Sequence, residues 1–199
     1  MPPKSKFTRE EIIAAALEIA SEKDISAVTA RAVGERLNSS ARPIFTVFKS
    51  MEELIAEVKK AAKGIYNEYI KEGLKEDLPF KGVGKAYIRF AIEKSKLFQL
   101  LFMSETDQNT TTGALPIVDD NYDDILSSII GQYGLPNEDA LTLYSHLWVY
   151  THGIASLCAT KTIKFSQAEI SEMITEVFVS LLVRKKTEIS ERNNADDQN

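Results

Sequence analysis

Four helix starts crowd into the first 55 residues, and no other feature of the chain constrains its fold as strongly. Thr8 opens an amphipathic helix, Thr29 a short one, Ser40 a shorter one and Ser50 a long one. This order predicts a helix-turn-helix with flanking supports, an arrangement that suits a duplex DNA partner. The third segment, Ser40 to Thr46, spans about two turns at 3.6 residues per turn. Its residues Ile44 and Phe45, with Phe48 after them, are expected to pack inward, leaving Ala41, Arg42 and Thr46 outward. Small and cationic side chains on such a face fit a major groove.

Capping boxes mark three of the helix starts: Thr8 with Glu11, Ser50 with Glu53, and Ser166 with Glu169. In each, a hydroxyl and a carboxylate three residues apart satisfy amides that the first helical turn leaves orphaned. After Thr8 the apolar positions Ile12, Ile13, Ala16, Leu17 and Ala20 keep helical spacing up to a break at Ser21 to Ser26. After Ser50, Leu54, Ile55, Val58, Ala61, Ala62, Ile65, Tyr66, Tyr69 and Ile70 continue that spacing to Gly73, predicting one long helix that bridges two parts of the chain. Further helices are expected near 80–95, 96–103, 118–133, 137–160 and 166–186. No period-two strand pattern appears, so the expected fold is all-α. The domains are expected at 1–49 for the helix-turn-helix, 50–188 for a larger helical domain and 189–199 for a charged, fraying tail. Thr106 to Ala114 is expected to be a polar loop.

Charge is divided unevenly along the chain. The net charge is −5, yet residues 1–60 hold ten Lys/Arg against nine Asp/Glu, leaving fourteen against twenty in the remainder. The acidity belongs to the second part, and a modest basic patch from Lys4, Lys6, Arg9, Arg31, Arg42 and Lys49 is expected in the first. A starting Met-Pro-Pro-Lys-Ser-Lys without an apolar core, and the lack of any long apolar run, place the chain in the cytoplasm with no membrane partner as an expectation.

Enzyme chemistry finds little support. The chain has two histidines and one cysteine, Cys158, which lies in an apolar stretch and reads as an inert buried thiol. Neither metal-ligand spacing, a phosphate-binding glycine loop nor a nucleophile elbow is present. The acidic group Asp119, Asp120, Asp123 and Asp124 is explained by the favourable placement of negative charge at a helix N-terminus. No enzymatic activity, cofactor or metal is therefore expected.

The block Leu37 to Leu54 resembles the TetR family of transcriptional regulators: Phe45, Phe48, Lys49, Ser50, Glu52 and Leu54 are spaced like that family's recognition helix running into its fourth helix. Trp148 with His152-Gly153-Ile154-Ala155 is similar to a pattern in the family's penultimate helix. Three positions depart from the family: Phe45 stands where a tyrosine is usual, Val47 where histidine is frequent, and Met51 where lysine is frequent. The resemblance implies a homodimeric, all-helical regulator with a small DNA-binding domain and a larger domain for ligand and dimerisation.

With that fold, Ser40 would cap the recognition helix and offer its free amides to a phosphate. Arg42 is the candidate base reader, because a guanidinium can hold guanine O6 and N7 together. Ala41 and Thr46 would meet a thymine methyl or a sugar edge, with Pro43 in the first turn, where its missing amide costs little. Thr29, Arg31 and Lys49 would position the DNA backbone, and Lys4 and Lys6 would act as a basic arm. A solvated surface charge is the plain alternative for each lone cation.

So short a recognition helix calls for a homodimer reading a palindromic operator. The last two helices carry apolar stripes for this: Leu141, Tyr144, Leu147, Trp148 and Thr151 on one, Ile170, Met173, Ile174, Val177, Phe178, Leu181 and Leu182 on the other. The same stripes also suit intramolecular core. The resemblance further implies a pocket for a small lipophilic or aromatic ligand among Tyr66, Tyr69, Tyr87, Phe90, Phe98, Phe102, Met103, Tyr122, Trp148 and His152, with Arg89 and His152 placed to orient a polar group. The rival to a ligand-released repressor is a protein that keeps the fold with a degenerate DNA face, acting as a ligand- or protein-binding module.

Overall fold

The computed structural model describes residues 6–104 and 120–196, and every regular element among them is helical. The helices are α1 (Arg9–Glu22), α2 (Ala30–Arg36), α3 (Met51–Leu74), α4 (Pro79–Glu93), α5 (Ser95–Phe102), α6 (Tyr122–Tyr133), α7 (Asn137–Ala159) and α8 (Gln167–Asp196). Short 3₁₀ turns cover Ile25–Ala27 and Ile44–Thr46. Of the expected features, Lys4, the 106–114 loop, Val118 and Asp119 lie outside the described residues.

The helices start where the hydroxyl residues place them. Thr8 and Glu11 form the reciprocal box at α1, and Ser166 and Glu169 form it at α8. At α3 the exchange is offset by one residue: Ser50 Oγ accepts from the Glu53 amide, but the Glu53 carboxylate accepts from the amide of Lys49. Thr29 caps α2 by accepting from the Ala32 amide. Gly134, in the left-handed region at φ 66°, ends α6, where lack of a Cβ makes that conformation inexpensive.

Packing gathers the chain into two compact units. The first contains α1, α2, both short turns, α3 as far as Tyr66, and α5. Its core is made by Ile12, Ala16 and Ile19 of α1, Val33 of α2, Leu54, Val58 and Ala62 of α3, and Leu97 and Phe98 of α5, all buried. The packing boundary thus differs from the expected division at residue 50. The cause is the inward row of early α3, whose residues Leu54, Val58, Ala62 and Tyr66 recur at four-residue spacing and are all buried.

The second unit contains Asn67–Ile92 and the helices after α5. Aromatic rings form much of its interior: Phe80 lies 6.4 Å from Tyr144 and 5.9 Å from Phe178, Tyr133 lies 4.9 Å from Phe178, and Tyr122 lies 5.5 Å from Tyr144. Of the α7 and α8 stripes, Tyr144, Leu147, Thr151, Ile170 and Ile174 are buried within this chain. These serve as intramolecular core. The exposed large apolar residues of the two helices are Leu141, which belongs to the expected α7 stripe, and Val149, Leu157, Val179 and Val183, which do not.

Residues from 189 onward, expected to fray, continue α8 to Asp196. Buried Asp139, in the first turn of α7, explains how a polar segment stays on the body: its carboxylate accepts from Arg192 at 2.5 Å and pairs with Lys185 at 3.4 Å. A buried carboxylate is tolerable only with such partners, so the end of α8 and the start of α7 stabilise each other.

In this unit Gly73 of α3 and Gly82 of α4 meet backbone to backbone. A Cβ added at Gly82 would lie 2.1 Å from the Gly73 carbonyl oxygen, and one at Gly73 would lie 2.6 Å from that of Gly82. Neither backbone can yield as a flexible side chain would. Gly82→Ala is expected to destabilise the protein by about 3 kcal/mol, the upper range of overpacking effects. Gly64→Ala, where a Cβ meets nothing within 4 Å, is the control, expected near or above wild type in thermal unfolding.

Candidate nucleic-acid interface and aromatic clusters

The helix-turn-helix is assembled by one glycine and two arginines, Arg9 and Arg36, that join its elements. After α2 the chain turns through Asn38, which adopts a positive φ of 50°, a conformation asparagine tolerates better than most residues. It then folds back so closely that a Cβ on Gly34 would lie 2.8 Å from the Ser40 carbonyl carbon and 3.0 Å from the Ala41 nitrogen. Ser39 donates its amide to the Gly34 carbonyl at 2.8 Å, closing the turn.

The recognition segment differs from the expected two-turn helix. It is a single 3₁₀ turn, Ile44–Thr46, with Pro43 at its N-cap position and no side-chain cap. Ser40 is exposed and does not occupy the cap. Proline disfavours helical backbone in the residue before it and supplies no amide, and three of the next four residues, Ile44, Thr46 and Val47, are β-branched. The Thr46 hydroxyl also donates to the Pro43 carbonyl at 2.6 Å, a local bond of the kind that competes with helix propagation.

Ile44 and Phe48 anchor this turn, each 1% exposed, whereas Phe45 is 51% exposed. The expectation that Phe45 packs inward is therefore corrected. The Phe48 amide donates to the Ile44 carbonyl four residues back at 2.9 Å, a spacing that puts Ile44 and Phe48 on one side and leaves Phe45 off that row. Arg42, Thr46 and Lys49 are exposed, and Ala41 and Pro43 are half-buried.

Arg9 departs from the expected phosphate-facing patch. Its guanidinium lies 4.3 Å over the Phe48 ring and donates to Glu53 and Glu57, each at 3.0 Å. It thereby fastens α1 to the recognition turn and to α3. Arg36 ties α2 to α1 through Glu18 at 3.0 Å and Glu22 at 2.5 Å. Arg31, though exposed, pairs with Glu35 four residues on at 2.8 Å. Lys6 donates to Ser39 Oγ at 3.3 Å, so this part of the expected arm touches the turn. Thr29 remains an exposed cap at the start of α2.

The aromatic candidates occupy several clusters. In the first unit Tyr66 and Phe98 are buried, and their rings lie 5.0 and 5.1 Å from Phe102. Met103 is 45% exposed beside them in sequence. In the second unit Tyr69 lies 5.3 Å from the buried Phe90 ring, with the Arg89 guanidinium 4.9 Å over its face. Arg89 also pairs with Glu72, and its Nε is buried without a hydrogen-bond partner. Half-buried Tyr122 packs on Tyr144.

Tyr87, Trp148 and His152 form the most polar of these groups. The Tyr87 hydroxyl and His152 Nδ1 are 2.9 Å apart, and the Trp148 ring is stacked on the imidazole at 5.0 Å and 9°. Burial holds the His152 pKa below its ordinary value by disfavouring imidazolium. It also pushes the Cys158 thiol up, against formation of a reactive thiolate. Among the described residues no His, Cys, Asp and Glu group is placed to hold a metal ion.

The sequence reading missed Gly34 and Asp139, and it placed Arg9 in the phosphate-facing patch and not in its structural role. Gly34 carried a weak signal, since a glycine inside a helical pattern can have a packing reason, yet Gly64 inside α3 has nothing within 4 Å of a Cβ. Arg9 and Asp139 depend on contacts 44, 48 and 53 residues away in sequence, which no local pattern reveals.

The arginine ties make the first unit acid-sensitive. The Glu53 carboxyl is held below its ordinary pKa by the Lys49 amide and then by Arg9, and that of Glu22 is lowered by Arg36. Their stabilisation is full above the ordinary carboxylate range and is lost as pH falls through the depressed folded values. Thermal unfolding between about pH 7 and pH 3 is expected to fall more steeply for wild type than for Glu22→Gln/Glu53→Gln. Parallel profiles would show that these ties add nothing.

Comparison with known proteins places both parts of the chain. Residues 12–58 match the model for bacterial regulatory proteins of the tetR family, and residues 80–181 match that of the tetracyclin repressor-like C-terminal domain. No curated protein resembles the chain closely enough to count as a match. A crystal structure from Mesorhizobium loti MAFF303099, assigned to the TetR family of transcriptional regulators, shares its fold with a TM-score of 0.53 at 16% identity, over 91% of this chain and 98% of that one. No described helix is long and apolar enough to cross a membrane. With its N-terminal helix-turn-helix and a C-terminal family match extending over half its length, the chain belongs to the TetR family of DNA-binding transcriptional regulators.

Proposed function

We propose that the protein is a cytoplasmic repressor that binds a palindromic operator as a homodimer and releases it when a small, largely apolar effector binds. The observation that carries the DNA reading is the exposed Arg42–Thr46 turn, seated on buried Ile44 and Phe48 and fastened through Arg9. Acidic groups that would oppose DNA are engaged elsewhere in the same unit: Glu18 and Glu22 by Arg36, Glu35 by Arg31, Glu53 and Glu57 by Arg9. Arg42 reads a base. Ser40, Ala41, Pro43 and Thr46 line the groove contact, while Thr29, Arg31 and Lys49 adjoin the phosphates. Arg31 would exchange Glu35 for phosphate on binding, an inexpensive step for an exposed ion pair.

The dimer reading moves from the predicted stripes to the residues that the chain itself leaves uncovered. Leu141, Val149 and Leu157 recur every eight residues on α7, with Val179 and Val183 on α8. A Cβ at Gly153 would meet nothing within 4 Å, leaving space there for close approach by another helix. For the effector, Tyr87, Trp148 and His152 of the second unit offer a flat apolar surface with a polar handle, suited to an aromatic compound. The α3 helix supplies residues to both units, and an effector that favours one of its dispositions would weaken DNA binding and be weakened by DNA to the same extent.

Two experiments test this reading. Selection of duplexes from a random pool is expected to return a palindrome bound in a salt-dependent manner, with Arg42→Ala losing about 10-fold or more in affinity, the range for one bidentate base contact. Failure of the wild type to enrich any sequence would overturn the DNA reading. In light scattering, wild type is expected at twice the chain mass and Val149→Asp/Val183→Asp at the chain mass, since burying unpaired carboxylates in an apolar interface is costly. A monomeric wild type would sink the dimer.

A further inference from the structure

We propose that Phe45 is a specificity-determining residue that reads a thymine methyl group in the major groove. The inference rests on the reading of the recognition turn as the DNA-facing surface and adds a contact of different chemistry from that of Arg42. Among the described residues of 6–66, Phe45 is the one large apolar side chain left more than half exposed, while its neighbours Ile44 and Phe48 on either side are 1% exposed. Its ring therefore contributes little to the core that holds the turn.

The backbone places this ring with the residues already assigned to DNA. Bonds run from the Ile44 amide to the Ala41 carbonyl, from Thr46 to Pro43 and from Val47 to Ile44, all three residues apart. Arg42 and Phe45 both lie on this one short turn, and both are exposed. Thr46 beside it is also exposed. An exposed phenyl ring between a cation and a hydroxyl has no hydrogen bond to offer a phosphate or a polar base edge. The apolar group that a major groove presents is the thymine C5 methyl, which a phenylalanine can cover. Wedging between base steps is a minor-groove device, and a helical turn of this kind fits the major groove.

The test uses the full-length protein and its selected duplex. Each thymine near the centre of a half-site is replaced in turn by uracil, which removes only the methyl group. Affinity is measured for wild type, Phe45→Ala and Phe45→Leu across a salt series, with thermal unfolding to establish that the variants fold. One uracil replacement per half-site is expected to weaken wild type about four-fold, the value of one buried methyl-sized group. Phe45→Ala is expected to bind about 10-fold more weakly, combining lost ring contact with lost methyl cover. It should be indifferent to that same replacement, with Phe45→Leu intermediate and the salt slope unchanged in each.

Wild-type affinity in Phe45→Ala would overturn the inference. So would an undiminished uracil response in that variant, or a loss accompanied by a shallower salt slope, which would mark a phosphate-positioning role. Each of these results leaves Arg42-dependent binding standing. Absence of any sequence-selective complex with wild-type protein would instead remove the DNA reading and this inference with it.

Discussion

The first unit depends on the place where Arg9 meets Phe48. One guanidinium covers the aromatic anchor of the recognition turn and reaches two carboxylates on α3, so three separate chain segments share one attachment. A lysine would supply the charge but not a plane to lie on the ring or a fork to reach both acids. This geometry lets a turn too short to hold itself remain in a defined orientation. The cost is a cation withdrawn from the exposed surface.

Close backbone contact serves an equivalent purpose in each unit. Gly34 admits the Ser40–Ala41 backbone beside α2, and Gly73 and Gly82 admit one another between α3 and α4. In both cases the missing side chain fixes a distance that hydrophobic packing alone would leave adjustable, because a larger residue must move main chain and not merely change rotamer. The α3 helix belongs to both units.

Much of this was legible in the residues themselves. Hydroxyl and carboxylate pairs marked the starts of α1, α3 and α8, and helical spacing from Leu54 to Ile70 marked the long helix, because these signals are local and follow from unsatisfied amides and from burial. What failed was also physical. Two adjacent apolar residues, Ile44 and Phe45, read as one inward face because the segment was taken as a two-turn α-helix, whereas it is a single short turn whose inward pair is Ile44 and Phe48, with Phe45 left exposed. The tail read as fraying because its composition is polar, and no nearby residue announces that Asp139 awaits Arg192. Apolar stripes on α7 and α8 were visible, but stripe spacing does not say which neighbour covers it. Exposure divides them, leaving Leu141 outside and Leu147 and Ile174 within.

The division of labour inside the recognition turn has a consequence for how such a regulator can diverge. Ile44 and Phe48 hold the turn, while Arg42 and Phe45 are exposed and add little to its core, and exposed Thr46 ties back to the Pro43 carbonyl. Surface positions of that kind tolerate replacement at small cost to folding. Were Arg42 and Phe45 the operator-reading positions proposed above, a duplicated copy of the gene could drift in operator preference there while its stability stayed nearly constant, acquiring a new target without first passing through an unfolded intermediate protein.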